Sequence, residues 1–276
     1  MIYVTGDTHG AIDIHKLSTR VWKNQKNLTR DDFLIITGDF GFPFSPNDMD
    51  EDGKPVRGEY MYWLNWLKQK PYTILFVDGN HENHAFWDAQ PVREWHGGRV
   101  HVHPQADNII HLMRGEIYEI EGRTFFTFGG AASRDVAPQY DEDGKCIWKG
   151  RQEGVSYWKR ENASFEEMTR ALKNIEALQE RGGSIDVIVT HTPPSSVVSS
   201  VLQHDRIDPT ADFLEDKILK RCEFGIWLCG HLHHDLIDAE HKIIILYDTI
   251  ATLDELEYTA AIWHDSYVSE KEAIIT

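Results

Sequence analysis

Cysteine is scarce in this chain. The three residues Cys146, Cys222 and Cys229 form no Cys-x-x-Cys pair and are odd in number. That pattern supports neither a disulfide framework nor a zinc ribbon. Long apolar runs are missing too, none approaching the ~18 residues that a membrane-spanning helix needs. Met1 leads straight into the apolar Ile2-Tyr3-Val4 without a basic-then-apolar leader. No signal peptide is therefore expected, and the chain reads as cytoplasmic with no membrane partner. Positive charge is also short: 28 Lys and Arg stand against 45 Asp and Glu, for a net charge of −17 and a pI of about 5.2. Gripping long nucleic acid depends on basic side chains that neutralise phosphates, so no such partner is expected. Nucleotides stay open, because bound metal ions add local positive charge that the formal count omits.

What is present suits a folded α/β protein. Of 276 residues, 41% are hydrophobic and 26% charged, enough for a sizeable core. There are no repeats, low-complexity tracts or linkers, so one domain over 1–276 is expected. Short apolar runs at 2–4, 33–36, 73–77, 185–189 and 225–229 alternate with helical patterns, as in layered α/β folds. Ile12, Ile14, Leu17 and Val21 fit a helix with one apolar side, and an aromatic-rich helix carries Tyr62, Trp63, Trp66 and Leu67. Runs at 100–103, 109–113, 116–120 and 124–128 read as a strand meander, with Glu121-Gly122-Arg123 as its last turn. Residues 131–163 form a loop-rich insertion. Ser164-Phe165-Glu166-Glu167 is a capping box that opens a helix ending at Gly182-Gly183. The runs 243–247 and 258–263 are expected to finish the sheet.

The chemistry sits where the strands end. Five turns carry polar side chains of one kind: Asp7 and His9, Asp39, Asn80 and His81, His191, and His231 and His233. In α/β folds such strand ends converge on one edge. Carboxylate oxygen and imidazole nitrogen together suit borderline divalent cations. Any one of the fifteen histidines reads most simply as a surface or hydrogen-bonded residue. Five matching strand ends do not.

Gly6-Asp7-Thr8-His9-Gly10, Gly38-Asp39, Gly79-Asn80-His81-Glu82, Thr190-His191 and Gly230-His231-Leu232-His233 together resemble the ordered motifs of calcineurin-like metallophosphoesterases. The resemblance implies a four-layer αββα sandwich, two mixed sheets flanked by helices, with a dinuclear metal centre. By matching position, Asp7, His9 and His233 hold one metal, Asn80, His191 and His231 the other, and Asp39 bridges them. It implies hydrolysis of phosphate mono- or diesters through attack of a hydroxide shared by the metals. The residue types agree with this. Two cations roughly 3.5–4 Å apart need an anionic bridge, and a neutral Asn80 oxygen with imidazoles leaves the centre electrophilic. Mn, Fe, Zn, Ni and Co all accept such mixed donors.

His81, beside a ligand but not one in the family, is the candidate for protonating or hydrogen-bonding the leaving oxygen. Glu82 is either its orienter or a plain helix-capping residue. Many relatives read Gly-Asp-x-x-Asp, often followed by Arg, where this chain has Gly38-Asp39-Phe40-Gly41-Phe42-Pro43. Arg134 could replace that phosphate-binding arginine if residues 131–163 fold over the metals; otherwise it is a solvated loop residue. The missing arginine weakens the comparison with protein phosphatases. A small-molecule phosphate ester or a nucleotide is the expected substrate. The alternatives are a protein phosphatase or a non-catalytic scaffold, though a scaffold should have lost ligands that are intact here. The sequence sets no oligomeric state.

Two motifs mislead. Residues 48–59 fit the EF-hand spacing from Asp48 to Glu59, but the proline-rich stretch before them cannot form the entering helix, so an acidic surface loop is expected. His81-Glu82-Asn83-His84 is one residue short of a zinc-protease motif, so its two histidines do not share a helix face.

Overall fold

The computed structural model describes residues 1–45, 58–204 and 207–275. Most of the EF-hand-like loop, 48–57, lies outside the described residues.

The first sheet is built on four parallel strands: β1 (Ile2–Thr5), β2 (Phe33–Ile36), β3 (Thr73–Phe76) and, beyond β4 (Val92–Trp95) and β5 (Gly98–His103) in sequence, β6 (Ala106–Leu112). The strands β5 and then β4 continue that side antiparallel. The second sheet takes β7 (Glu116–Ile120) and β8 (Arg123–Phe128). Past a small hairpin of β9 (Gln139–Tyr140) and β10 (Cys146–Trp148), it adds β11 (Ile185–Thr190), β12 (Phe224–Cys229), β13 (Leu236–Asp238) and β14 (Ile243–Ile245). Its parallel centre is β8, β11, β12 and β14. A last strand, β15 (Ile250–Thr252), returns to the first sheet and pairs antiparallel with β1.

Strand alternation sorts side chains into layers. Ile2, Val4, Ile35 and Leu75 meet Val187, Val189, Ile226 and Leu228 between the two sheets. Tyr3, Leu34, Ile36 and Phe76 point the other way, onto α1 (Gly58–Lys68) and α2 (His84–Asp88). On the far side, Phe126, Phe128, Ile188 and Trp227 pack under α3 (Phe165–Glu180), α4 (Ser195–Leu202) and α5 (Pro209–Phe213), which runs on as a π-turn over Leu214–Leu219. The result is the expected αββα sandwich. Among the described residues no helix is long and apolar enough to cross a membrane.

Several local expectations need correction. The proposed helix after His9 is a single 3-10 turn, Ile14–Leu17, with Ile14 and Leu17 buried and Ile12 and Val21 exposed. The meander is split: β5 and β6 belong to one sheet, β7 and β8 to the other. The chain crosses over at 113–115, where the buried Arg114 binds Asp78 and the carbonyls of Arg160 and Glu161. The apolar run at 258–263 is not a strand. It lies in α6 (Leu253–Ile275), whose Leu253, Leu256 and Ala260 close the inter-sheet core while Tyr258 and Trp263 face out.

The capping box forms as read, with Ser164 and Glu167 bonded reciprocally. Glu121 and Gly122, at φ 49° and 76°, make the tight turn between β7 and β8. Residues 246–249 press on the opening turn: a Cβ on Gly6 would stand 2.0 Å from the Leu246 carbonyl oxygen. Nearby, Thr5 donates to the Thr249 carbonyl and Lys16 Nζ to the carbonyls of Gly6, Asp7 and Tyr247.

Candidate metal centre

The ends of β1, β2, β3, β11 and β12 meet at one edge of the sandwich. Ligand-capable atoms of Asp7, His9, Asp39 and His233 all lie within 4.8 Å of one another. On the other side of Asp39, His191 Nε2 is 3.4 Å from Asp39 Oδ2, 3.2 Å from Asn80 Oδ1 and 3.2 Å from His231 Nδ1. All seven residues singled out as ligands are thus brought together, with Asp39 between two groups. Asp7, Asp39, Asn80 and His191 are buried, whereas His233 is exposed.

The backbone is bent to achieve this. His9, Asp39, His231 and His233 have φ of 43°, 47°, 69° and 53°, a region that non-glycine residues enter rarely and at a cost. Hydrogen bonds hold the turns. The amides of Thr8 and His9 donate to the Asp39 carbonyl, and that of Gly10 to Phe40. Two glycines leave room for a neighbouring ligand. A Cβ on Gly79 would stand 2.0 Å from Asp39 Oδ1, and one on Gly230 would stand 2.2 Å from Asp7 Oδ1.

The donor set fits a cation. Asp39 Oδ1 accepts the His81 amide at 2.7 Å, but Oδ2 is buried without a hydrogen-bond partner. Nε2 of His9 and of His191 lie 3.2 and 3.4 Å from it without hydrogen-bond geometry. The opposite ring nitrogens are occupied, His9 Nδ1 by Asp13 Oδ2 and His191 Nδ1 by the Thr37 carbonyl. Each Nε2 therefore points its lone pair at a carboxylate unless a proton or metal ion intervenes. Burial opposes a charge on His9, but the nearby carboxylates of Asp39 and Asp7 and the hydrogen bond to Asp13 hold its pKa up to about 9. His191, against the same burial penalty, is held up to about 10 by Asp39 and Asp7. The carboxyl of Asp39 lies well below its ordinary range, since the facing imidazoles outweigh its desolvation.

The other predicted residues fall on either side of this cluster. His81 has Nδ1 3.0 Å from the Arg151 guanidinium, and burial, together with that cation, lowers its pKa. Glu82 does not orient His81. Its two oxygens accept the amides of Phe40 and Gly41 at 2.6 and 3.1 Å, fixing the turn that carries Asp39. Nor does it cap the next helix, where Asn83 accepts the Phe86 amide. Burial and the Asp39 charge push the Glu82 carboxyl well up. Arg134 is exposed and lines a cavity of about 270 Å³ with Asp39, Asn80, His231 and His233. Residues 131–163 thus reach the metal-side cavity. Ser133 Oγ accepts from Asn80 Nδ2 and in turn donates to the buried Glu161.

Three contributors were not picked out in the sequence. Asp13 lies four residues after His9, a spacing that could have suggested it. Tyr247 donates to Asp13 and stacks on His233, with ring centroids 5.0 Å apart. Arg151 reaches His81 across 70 residues, held by Asp135 and the Ser156 carbonyl, and no local pattern announces it.

Two facing mixed sheets thus carry a cluster of carboxylates and imidazoles at their strand ends. A family model for calcineurin-like phosphoesterases matches residues 1–235, and the chain belongs to that family. A lariat debranching enzyme from Schizosaccharomyces pombe is 26% identical over 228 residues, covering 76% of this chain and 44% of the relative. The chain thus spans under half the length of that relative. Among solved structures it overlaps a Staphylococcus aureus 5'-nucleotidase (15% identity, TM-score 0.41, 89% of this chain and 48% of that one). It also overlaps the phosphopantetheinyl hydrolase of Mycobacterium tuberculosis (13%, TM-score 0.37, 89% and 87%). Overlaps at that level bear on neither substrate nor mechanism.

Proposed function

We propose that this protein hydrolyses phosphate mono- or diesters of a small molecule or nucleotide with two metal ions. Asp7, His9 and His233 would hold one, Asn80, His191 and His231 the other, and Asp39 both. The observation that carries the reading is Asp39 Oδ2, buried and unpartnered between His9 Nε2 and His191 Nε2. Cations bound there would polarise a phosphoryl oxygen and lower the pKa of water. Mn, Fe, Zn, Ni and Co all suit these donors.

The chain's own residues do the rest. Arg134 and Arg151 bring positive charge to the cavity beside Asp39 and Asn80, where phosphoryl oxygens would bind. Arg151 N–H groups face His81 Nδ1 at 3.0 Å and Nε2 at 3.5 Å, holding the ring beside the cavity where it would hydrogen-bond a leaving oxygen. The free cysteines, exposed at 146 and buried at 229, favour a reducing, cytoplasmic setting. The debranching enzyme among the relatives favours a second reading, a nucleic-acid substrate, against which the net charge of −17 weighs.

Chelated protein reloaded with Mn should bind two metal ions per chain and cleave 4-nitrophenyl phosphate or bis(4-nitrophenyl) phosphate. Asp39→Asn should lose both metal and activity. A fully loaded preparation inert toward a broad phosphate ester panel would overturn the reading.

A further inference from the structure

We infer that the group released from phosphate is flat and aromatic, and that it sits beside the metal centre between Phe42, Phe44 and Trp63. This rests on the phosphoesterase reading and adds to it the chemical class of the alcohol.

Two cavities meet at the site. The polar one, of about 270 Å³, contains Asp39, Asn80, Arg134 and the His231–His233 turn. A second, of about 420 Å³, is walled mainly by Ile12, Phe42, Phe44 and Trp63; His9, His81 and Arg151 bring polar groups to it from the metal side, and Glu59 and Tyr60 from α1. Among the described residues, His81 and Arg151 alone border both cavities. A phosphoryl group held in the polar chamber would therefore project its alcohol past His81 into the aromatic one. The bond to be broken would lie at the seam, with the His81 ring beside its oxygen.

The walls select the alcohol. The second chamber lies in the size range of small-molecule pockets, about 300–1,000 Å³, with room for one ring system or a nucleoside. Aromatic faces reward a flat ring by stacking. Tyr60 Oη at the wall is already hydrogen-bonded to His103, which leaves the ring faces as the larger part of what the chamber offers. Phe44 joins the chamber to the rest of the site, packing on His81 and on Trp158 of the 131–163 segment.

Calorimetry on the Mn-loaded protein with phenylphosphonate and methylphosphonate tests this without turnover. The phenyl compound should bind roughly tenfold tighter or better, and Trp63→Ala or Phe44→Ala should remove the difference. In turnover, each variant should raise KM for phenyl phosphate more than for glycerol phosphate. Phenyl phosphate and a nucleoside monophosphate, compared by kcat/KM, identify the ring as a simple aryl group or a nucleobase; either supports the assignment. Equal binding of the two phosphonates would overturn it. Tight phenylphosphonate binding without hydrolysis of any ester would sink the phosphoesterase reading and leave the pocket standing.

Discussion

Asp39 pays for its position in backbone strain, and its neighbours are shaped to keep it there. The Gly79 backbone approaches so closely that a methyl group would collide with the Asp39 carboxylate. Gly79→Ala should therefore fold yet bind less metal, which metal analysis of the purified variant will read. Glu82 meets two amide donors with two oxygens. Glu82→Gln turns an amide donor toward one of them, and should cost about 2 kcal/mol in urea unfolding as well as weaken metal binding. The residues proposed as ligands stand out in sequence because each follows an apolar strand and its chemistry is carried by residue type. Arg151 and Tyr247 do not, since only the folded chain brings them to His81 and His233. Glu82 was misassigned for a related reason: adjacency to His81 in sequence hid its reach to the turn at Phe40.

At the scale of elements, burial decides what the pattern alone leaves ambiguous. A six-residue apolar run such as 258–263 fits a strand or a helix equally, and its place at the open end of the core makes it helix. Conversely, the alternating runs from 98 to 128 were readable as strands, but their division between two sheets depends on the Arg114–Asp78 pair inside the fold. His103 shows what such packing does to titration. It sits on β5 under α1, with its Nε2 against Tyr60 Oη and its Nδ1 accepting the Gln105 amide. Burial, with Lys68 adding to it, lowers its pKa from 6.5 to about 4. The folded state thus binds fewer protons than the unfolded chain below pH 6.5, and stability falls as pH drops from there toward 4. The loss from this residue approaches about 3 kcal/mol. Urea titrations at pH 7 and pH 4 should show a difference smaller by about that amount in His103→Gln.

On the scale of the whole molecule, the proposed metal centre is a joint between layers. Asp7, His9, Asp39 and Asn80 come from the first sheet, His191, His231 and His233 from the second. A cation held by both binds the folded state alone, and at a concentration 100 times its dissociation constant contributes about 2.7 kcal/mol. Chelation should accordingly lower the thermal midpoint of the wild-type protein and leave that of Asp39→Asn unmoved. Scanning calorimetry would also show whether residues 1–276 melt as one unit, as we propose from the packing of β15 and α6 on β1.

That packing has a consequence for biosynthesis. The turn bearing Asp7 and His9 leaves the ribosome long before residues 246–252. Yet its frame includes the Leu246 and Tyr247 carbonyls, the Thr249 acceptor and the β15 pairing with β1. A nascent chain carries this turn unsupported until residue 252 has emerged, so a motif made early is finished late. Metal capture is then expected to follow translation, and stalled chains ending near residue 235 should emerge unable to retain the ion.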